Sequence, residues 1–382
     1  MKLSGSDIPT FRTLGRTGLR VSPLCLGAMT FGWGADQETS RKLFDTYRAA
    51  GGNFIDTADM YSGGTSEQWL GEIIRSTNSR DEIVLATKFS FNAQPGNPNA
   101  GGNGRKNILR ALDSSLRRLQ TDYIDLYIMH AWDRTTPVEE VASTLNDLVR
   151  AGKVRHVGLS DTPAWYVARF TTIADLRDWE RPATLQLEYS LVARNLEREH
   201  LPLAQELGIS ITPWSPLGSG LLTGKFRREN GQIVGSGRVV DTKDSGNPVL
   251  ERFAKREQNW QIVDTLLQVA RDIGHTPAEV ALAWVMSRSC VTSTLIGATK
   301  SISWKKILRP HPSRYRRTRS GRSARPVFSN PPSSTTSSDL RCSEWSPAIR
   351  RSHAPSTETF TAKLTVWPPC AGRKAAMPLS IC

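Results

Sequence analysis

GGNFIDTADMYSGG, residues 51–64, carries the pattern on which the fold turns: a glycine pair, a short strand-like run NFI, and then Asp56 and Tyr61 where further apolar residues would be expected. The arrangement recurs downstream, with Lys88 closing EIVLAT and His130 following YIDLYIM. Ionisable side chains just past the ends of successive apolar runs fit a parallel α/β barrel, where the carboxyl ends of the strands share one mouth and carry the chemistry. Singly, each has an ordinary explanation: a satisfied structural His, a surface Lys cap, an Asp that forms a turn, a Tyr lid in a Gly-Gly loop. Together, on successive strand ends, they suggest a proton donor and the groups that tune it.

Working outward, strand-like runs near 24–28, 53–58, 83–88, 124–130, 154–160, 184–190, 210–216 and 292–298 alternate with helical patterns over 38–50, 66–75, 105–119, 138–151, 164–178, 198–207, 260–273 and 277–288. Gly51-Gly52, Gly152 and Gly208 act as helix stops, and Thr276-Pro277-Ala278-Glu279 reads as an N-cap, a first-turn Pro and an acidic third position. Eight such units predict a (β/α)8 TIM barrel. A doubly wound sheet is the rival, but no G-x-G-x-x-G follows the first strand. FRTLGRTGLRVSP, residues 11–23, predicts an N-terminal β-hairpin that plugs the barrel floor.

The chain of 382 residues is long enough for one barrel of about 250 residues with insertions, or for two ordinary domains. It contains no apolar run long enough to span a membrane and no charged-then-apolar start, so a cytoplasmic enzyme is expected. Cys25, Cys290, Cys342, Cys370 and Cys382 are scattered, without C-x-x-C spacing and odd in number, which argues against a disulfide framework or a zinc site. The net charge of +14 is concentrated in residues 301–382, with 15 Lys and Arg against three Asp and Glu; residues 1–300 are nearly neutral. That tail is rich in Ser, Pro and Arg and shows no sustained period, so it is read as disordered.

LGRTGLRVSPLCLGAMTFG (14–32), GGNFIDTADMYSGGTSEQWLG (51–71), IVLATKFSF (83–91), DYIDLYIMHAWD (122–133), GKVRHVGLSD (152–161), LQLEYSLVAR (185–194) and ITPWSPLGSGLLTGKF (211–226), in this order, resemble the aldo-keto reductase family across residues 10–300. The likeness is to the branch with long strand-end insertions that holds aryl-alcohol dehydrogenase-like and channel β-subunit-like proteins. It implies an NADP(H)-dependent reduction of aldehydes or ketones. Tyr61 would be the general acid; a free phenol, with a pKa of about 10, would be made more acidic by Lys88, with Asp56 holding Lys88 and His130 polarising the carbonyl.

The resemblance also implies that Ser160, Asp161 and Gln186 hold the nicotinamide carboxamide, with Asp161 standing where the family usually has Asn, and that Trp214 stacks on the ring. Ser215, Leu217, Gly218 and Gly220 would approach the pyrophosphate. Gly297, Thr299 and Lys300 would complete the cofactor site, with Lys300 supplying charge toward a 2′-phosphate. Met29, Phe31, Trp33 and Trp132 would form an apolar cup for a hydrophobic carbonyl substrate, with a mobile rim at 92–104. The implied partner is that small molecule; neither a metal nor a nucleic acid nor a membrane is expected.

The likeness breaks after IGATK, residues 296–300. A family member would continue with Gln-Leu-x-x-Asn, gripping the adenosine end of NADP, and then a last helix; this chain has SISWKKI, residues 301–307. One legitimate encoding of that run, read with a G in front, gives Val-Asp-Gln-Leu-Glu-Glu-Asn. Residues 301–382 therefore read as an out-of-frame translation, and residues 1–300 as a barrel that is incomplete after its eighth strand. Loss of the covering helix would expose several hundred Å² at roughly 25 cal/mol per Å², about 5–10 kcal/mol, comparable with the stability of a whole domain. The alternative is a weakly active or inactive NADP(H)-binding module. A basic arm for RNA or acidic membranes is disfavoured, because few aromatics accompany the Arg cluster at 314–325.

Overall fold

In the computed structural model, which describes residues 11–229, 232–235 and 253–299, all eight strand runs are present. A short antiparallel pair, β1 (Arg12–Thr13) and β2 (Arg20–Val21), comes first. The parallel strands are β3 (Leu24–Gly27), β4 (Phe54–Asp56), β5 (Val84–Phe89), β6 (Ile124–Met129), β7 (Val154–Ser160), β8 (Pro182–Gln186) and β9 (Ser210–Ile211). An antiparallel hairpin, β10 (Phe226–Glu229) with β11 (Gln232–Gly235), precedes the last, β12 (Thr294–Ile296). That hairpin was not foreseen in the sequence. Between the strands lie α1 (Gln37–Ala49), α2 (Thr65–Thr77), α3 (Arg105–Leu119), α4 (Val138–Arg150), α5 (Ala164–Arg177), α6 (His200–Leu207), α7 (Glu257–Asp272) and α8 (Pro277–Met286).

The parallel strands pair in the order β12-β3-β4-β5-β6-β7-β8-β9. Closure runs through an isolated parallel bridge between Ile211 and Val291 and through hydrogen bonds from Ile211 N–H to Cys290 O (2.7 Å) and Leu295 N–H to Pro213 O (2.9 Å). The result is a (β/α)8 barrel. Its helices start where local chemistry allows: the Asp36 carboxylate accepts from Thr39 N–H at α1, and Thr276 and Glu279 form a reciprocal capping box at α8 with Pro277 in the first turn. Gly208, at φ 67°, ends α6 in the left-handed region.

Two layers of core follow from the strand period of two. Phe54, Val84, Ala86, Leu126 and Ile128 point into the barrel together with Leu14 and Val21 of the hairpin, while Leu85, Phe89, Tyr127 and Met129 pack outward under the helices. The hairpin thus closes the floor. Arg12 Nη1 donates to Met286 O and Val291 O, and Gly15 N–H donates to Ser210 Oγ at 2.6 Å. Gly15, at φ 56°, has no room for a side chain: a Cβ would lie 2.4 Å from Ala183 O. The tail expected at 301–382, together with Lys300, lies outside the described residues.

Candidate active site

The inward alternation that fills the barrel also delivers its polar end. Phe54 leads to Asp56, Val84 and Ala86 lead to Lys88, and Leu126 and Ile128 lead to His130, so each apolar interior stack is capped at the carboxyl end by one ionisable group. Lys88 is fully buried and its ammonium donates to Asp56 Oδ1 (2.5 Å), Thr57 O (2.8 Å) and Tyr61 Oη (3.2 Å). Tyr61 is brought over the site by the turn after β4, with its ring edge-on to His130 at 5.7 Å between centroids. All four predicted catalytic side chains therefore meet at one point.

Burial opposes the Lys88 ammonium, but Asp56 and Tyr61 together outweigh it and raise its pKa above the ordinary lysine value. For Tyr61 burial is the largest influence and pushes the phenol up, with Lys88 pulling it down and Asp56 pushing it further up. The net lowering expected from Lys88 is thus reversed, since the ring loses more solvation than one neighbouring cation restores. His130 is held neutral: burial first, then the Lys88 charge, take it well below the ordinary imidazole value. Its Nδ1 is buried and has no hydrogen-bond partner among the described residues.

Across the mouth, Ser160 and Gln186 face one another at the ends of β7 and β8. Gln186 Nε2 donates to Asp56 Oδ2 (2.9 Å), so its amide is tied to the Asp56–Lys88 pair. Trp214 is half-buried and its indole N–H donates to Asp161 Oδ1 at 3.1 Å. Burial raises the Asp161 carboxyl to about 6, against the Trp214 hydrogen bond. In the loop after β9, Ser215, Gly218, Ser219 and Gly220 all have φ between 51° and 98°. Its N–H groups close on the loop itself: Gly218 donates to Ser215 O, Ser219 to Ser215 Oγ and Gly220 to Leu217 O. Gly297 and Thr299 follow β12 beside the loop after β3, where Thr30 Oγ1 donates to Ala298 O at 3.0 Å.

Of the residues expected to cup a substrate, Met29 and Trp33 are exposed at the mouth and Trp132 is half-buried. Phe31 differs: it is wholly buried in the outer core and presents no surface to a ligand. Sequence reasoning missed Phe91, whose exposed ring meets His130 edge-on at 4.9 Å. It also missed Asn103, which accepts from Ser90 Oγ (2.6 Å) and donates to Ala131 O (2.8 Å) and Asp133 Oδ2 (2.7 Å). Asn103 anchors the end of the segment expected to form a mobile rim, and Ser90 Oγ in turn accepts the His130 N–H at 3.1 Å. Phe91 follows directly on an apolar strand and was legible as a strand-end aromatic; Asn103 carries no comparable signal.

Among the described residues no helix is long and apolar enough to cross a membrane, and no group of three His, Cys, Asp or Glu is placed to hold a metal ion. Residues 23–309 match the profile of the Aldo/keto reductase family. The chain is 38% identical over 295 residues to a norsolorinic acid reductase of Aspergillus flavus, covering 74% of this chain and 72% of that protein. It is 40% identical over 251 residues to aryl-alcohol dehydrogenase GME11368 of Pestalotiopsis microspora, covering 62% and 65%. It is 36% identical over 293 residues to a probable voltage-gated potassium channel subunit beta of Oryza sativa subsp. japonica, covering 76% and 87%.

Proposed function

The chain belongs to the aldo/keto reductase family, and we propose that within it this protein is an NADP(H)-dependent reductase of hydrophobic aldehydes or ketones, with Tyr61 as the proton donor. The observation that supports this most is the bonded chain from Asp56 through Lys88 to Tyr61, set beside a neutral His130. The cofactor, when bound, supplies a hydride to the carbonyl carbon. The residues fit such a group: the half-buried indole of Trp214 offers a face at the mouth, and the left-handed backbone at Gly218 and Gly220 allows close approach to phosphate. Ser160, Asp161 and Gln186 would hold the carboxamide, and Thr299 and Lys300 the far end.

The chain's own part is the proton. A phenol whose pKa is raised stays protonated at neutral pH, and the alkoxide that develops on the substrate is a far stronger base than phenolate, so transfer from Tyr61 Oη remains downhill. Lys88, bonded to that oxygen, stabilises the phenolate left behind. A neutral His130 presents a ring N–H to the carbonyl oxygen without competing as an acid.

The test is NADPH oxidation in the presence of an aromatic aldehyde. Tyr61→Phe is expected to lower kcat by about 10²–10⁴-fold and to leave NADPH binding, read by Trp fluorescence, unchanged. Wild-type protein that binds NADPH and reduces no aldehyde would instead be a binding module. The tail is a separate proposal: residues 301–382 are an out-of-frame reading. Restoring the frame after Lys300 is then expected to stabilise the fold by about 5–10 kcal/mol and to tighten NADPH binding, and equal stability of the two chains would refute it.

A further inference from the structure

A second cleft opens beside the catalytic mouth, between the loop after β6 and the first turns of α4 and α5, with a volume of about 200 Å³. Trp132, Arg134, Glu139, Trp165, Tyr166 and Arg169 line it. Trp132 lies two residues beyond His130 and meets Trp165 edge-on at 5.6 Å, and Trp165 meets Tyr166 at 5.7 Å. More than half of the Trp165 surface, 54%, stands free. An indole corner of this kind takes a flat arene against its edges and faces.

The polar groups of the cleft divide unequally. Arg169 is paired with Glu139. Arg134 has no carboxylate within ion-pair distance among the described residues; its guanidinium sits 6.0 Å from the Trp132 ring centre. The hydroxyl of Tyr166, a residue only 2% exposed, has no hydrogen-bond partner among them. The geometry is held in place: Arg134 sits at φ 65°, and Asp133 before it accepts from Thr135 N–H (3.0 Å), Thr136 N–H (2.9 Å) and Thr136 Oγ1 (2.6 Å) as well as from Asn103. A strained backbone over-determined by its neighbours suits a ligand contact.

We propose that this cleft is a distal subsite for an aromatic carboxylate, with the arene against Trp132 and Trp165 and the carboxylate on Arg134. Resting on the reductase reading, it selects extended aromatic carbonyl substrates that carry an anionic group on the ring farthest from the reacting carbon. One ring would occupy the catalytic mouth and the other the cleft.

Two measurements on the full chain keep the subsite and the reductase reading distinguishable. In calorimetric titration, biphenyl-4-carboxylate is expected to bind about tenfold more tightly than biphenyl-4-carboxamide, with the difference shrinking at high salt. Arg134→Gln should abolish the preference and leave the carboxamide unchanged. In turnover, the carboxylate-bearing biphenyl aldehyde should show a KM below that of the neutral one, and Arg134→Gln should remove that gap while leaving kcat for benzaldehyde unchanged. Equal binding of acid and amide, or a preference that survives Arg134→Gln, overturns the subsite even if benzaldehyde is reduced. A preference that depends on Arg134 in a protein without turnover upholds the subsite and removes the reductase reading instead.

Discussion

The two sides of the barrel mouth are built differently. On the β4–β6 side, Lys88 is fully buried with its donors spent on Asp56 at a strand end, on Thr57 O just after it and on Tyr61 in the turn that follows. On the β7–β9 side the donors are engaged within the site: Gln186 on Asp56, Trp214 on Asp161, and Gly218, Ser219 and Gly220 on oxygens of their own loop. The first side is a closed buried cluster, whereas the donors of the second are satisfied by Asp56 and within its own strand ends and loop. Buried strand-end groups such as Asp56 and Lys88 are the more preorganised, and the loop groups at 215–220 the more adjustable. The difference matches the division proposed above, with chemistry on the first side and cofactor binding on the second.

Asp56 alone serves both sides, and its removal is the most damaging change. Asp56→Ala leaves a buried ammonium without its carboxylate and frees the Gln186 amide, and the expected cost is about 3–5 kcal/mol of stability. Urea unfolding reads it. The double variant Asp56→Ala/Lys88→Met should recover most of the loss, because it removes the uncompensated charge. If the single change costs less than about 1 kcal/mol, the ordinary range of an exposed pair, the catalytic side is solvated and is not the closed unit described.

The closed side was also the more legible in the sequence, for a physical reason. Asp56, Lys88 and His130 each cap an inward-facing stack, so a period of two and a strand end suffice to place them. The hairpin at 226–235 and the anchoring of the 92–104 segment by Asn103 depend on contacts that local pattern does not encode. Phe31 shows the same limit. Spaced two residues from both Met29 and Trp33 in one loop, it cannot be told from them by position, yet it alone is wholly buried. The Tyr61 phenol was misjudged because a neighbouring Lys is visible in a sequence while the depth of burial is not.

A smaller effect sharpens the picture of what lies behind the closed side. Asp59, two residues before Tyr61, is buried and neither carboxylate oxygen has a hydrogen-bond partner among the described residues. Burial, with nearby Glu67, raises its carboxyl to about 7, while Arg118 and Arg110 act the other way. Since the folded value lies above the unfolded one, this residue's contribution is most favourable below about pH 4 and is progressively lost as pH rises to about 7, by a few kcal/mol at most. Asp59→Asn should therefore flatten the pH dependence of Tm over that window and be more stable than wild type at about pH 8 than at about pH 5. An unchanged pH profile would mean that water or a shifted Arg side chain already satisfies the carboxylate.

The gentlest test concerns the adjustable side alone. Asp161, with its carboxyl at about 6, is a neutral donor below that pH and an anionic acceptor above it. If the nicotinamide sits against Trp214 as proposed, the anion favours the positively charged oxidised ring over the neutral reduced one. The ratio of NADP⁺ to NADPH affinity should then rise as pH climbs through about 6, by about tenfold for a charge interaction near 1.4 kcal/mol. Asp161→Asn should hold the ratio constant and leave the catalytic side untouched, so that kcat at saturating NADPH keeps its pH profile. Fluorescence titrations of both cofactor forms at about pH 5 and about pH 8 decide the matter. A flat ratio in the wild type would place the ring away from Asp161, and a changed kcat profile in Asp161→Asn would show that the two sides are coupled through Gln186 and Asp56 more tightly than a division into chemistry and binding allows.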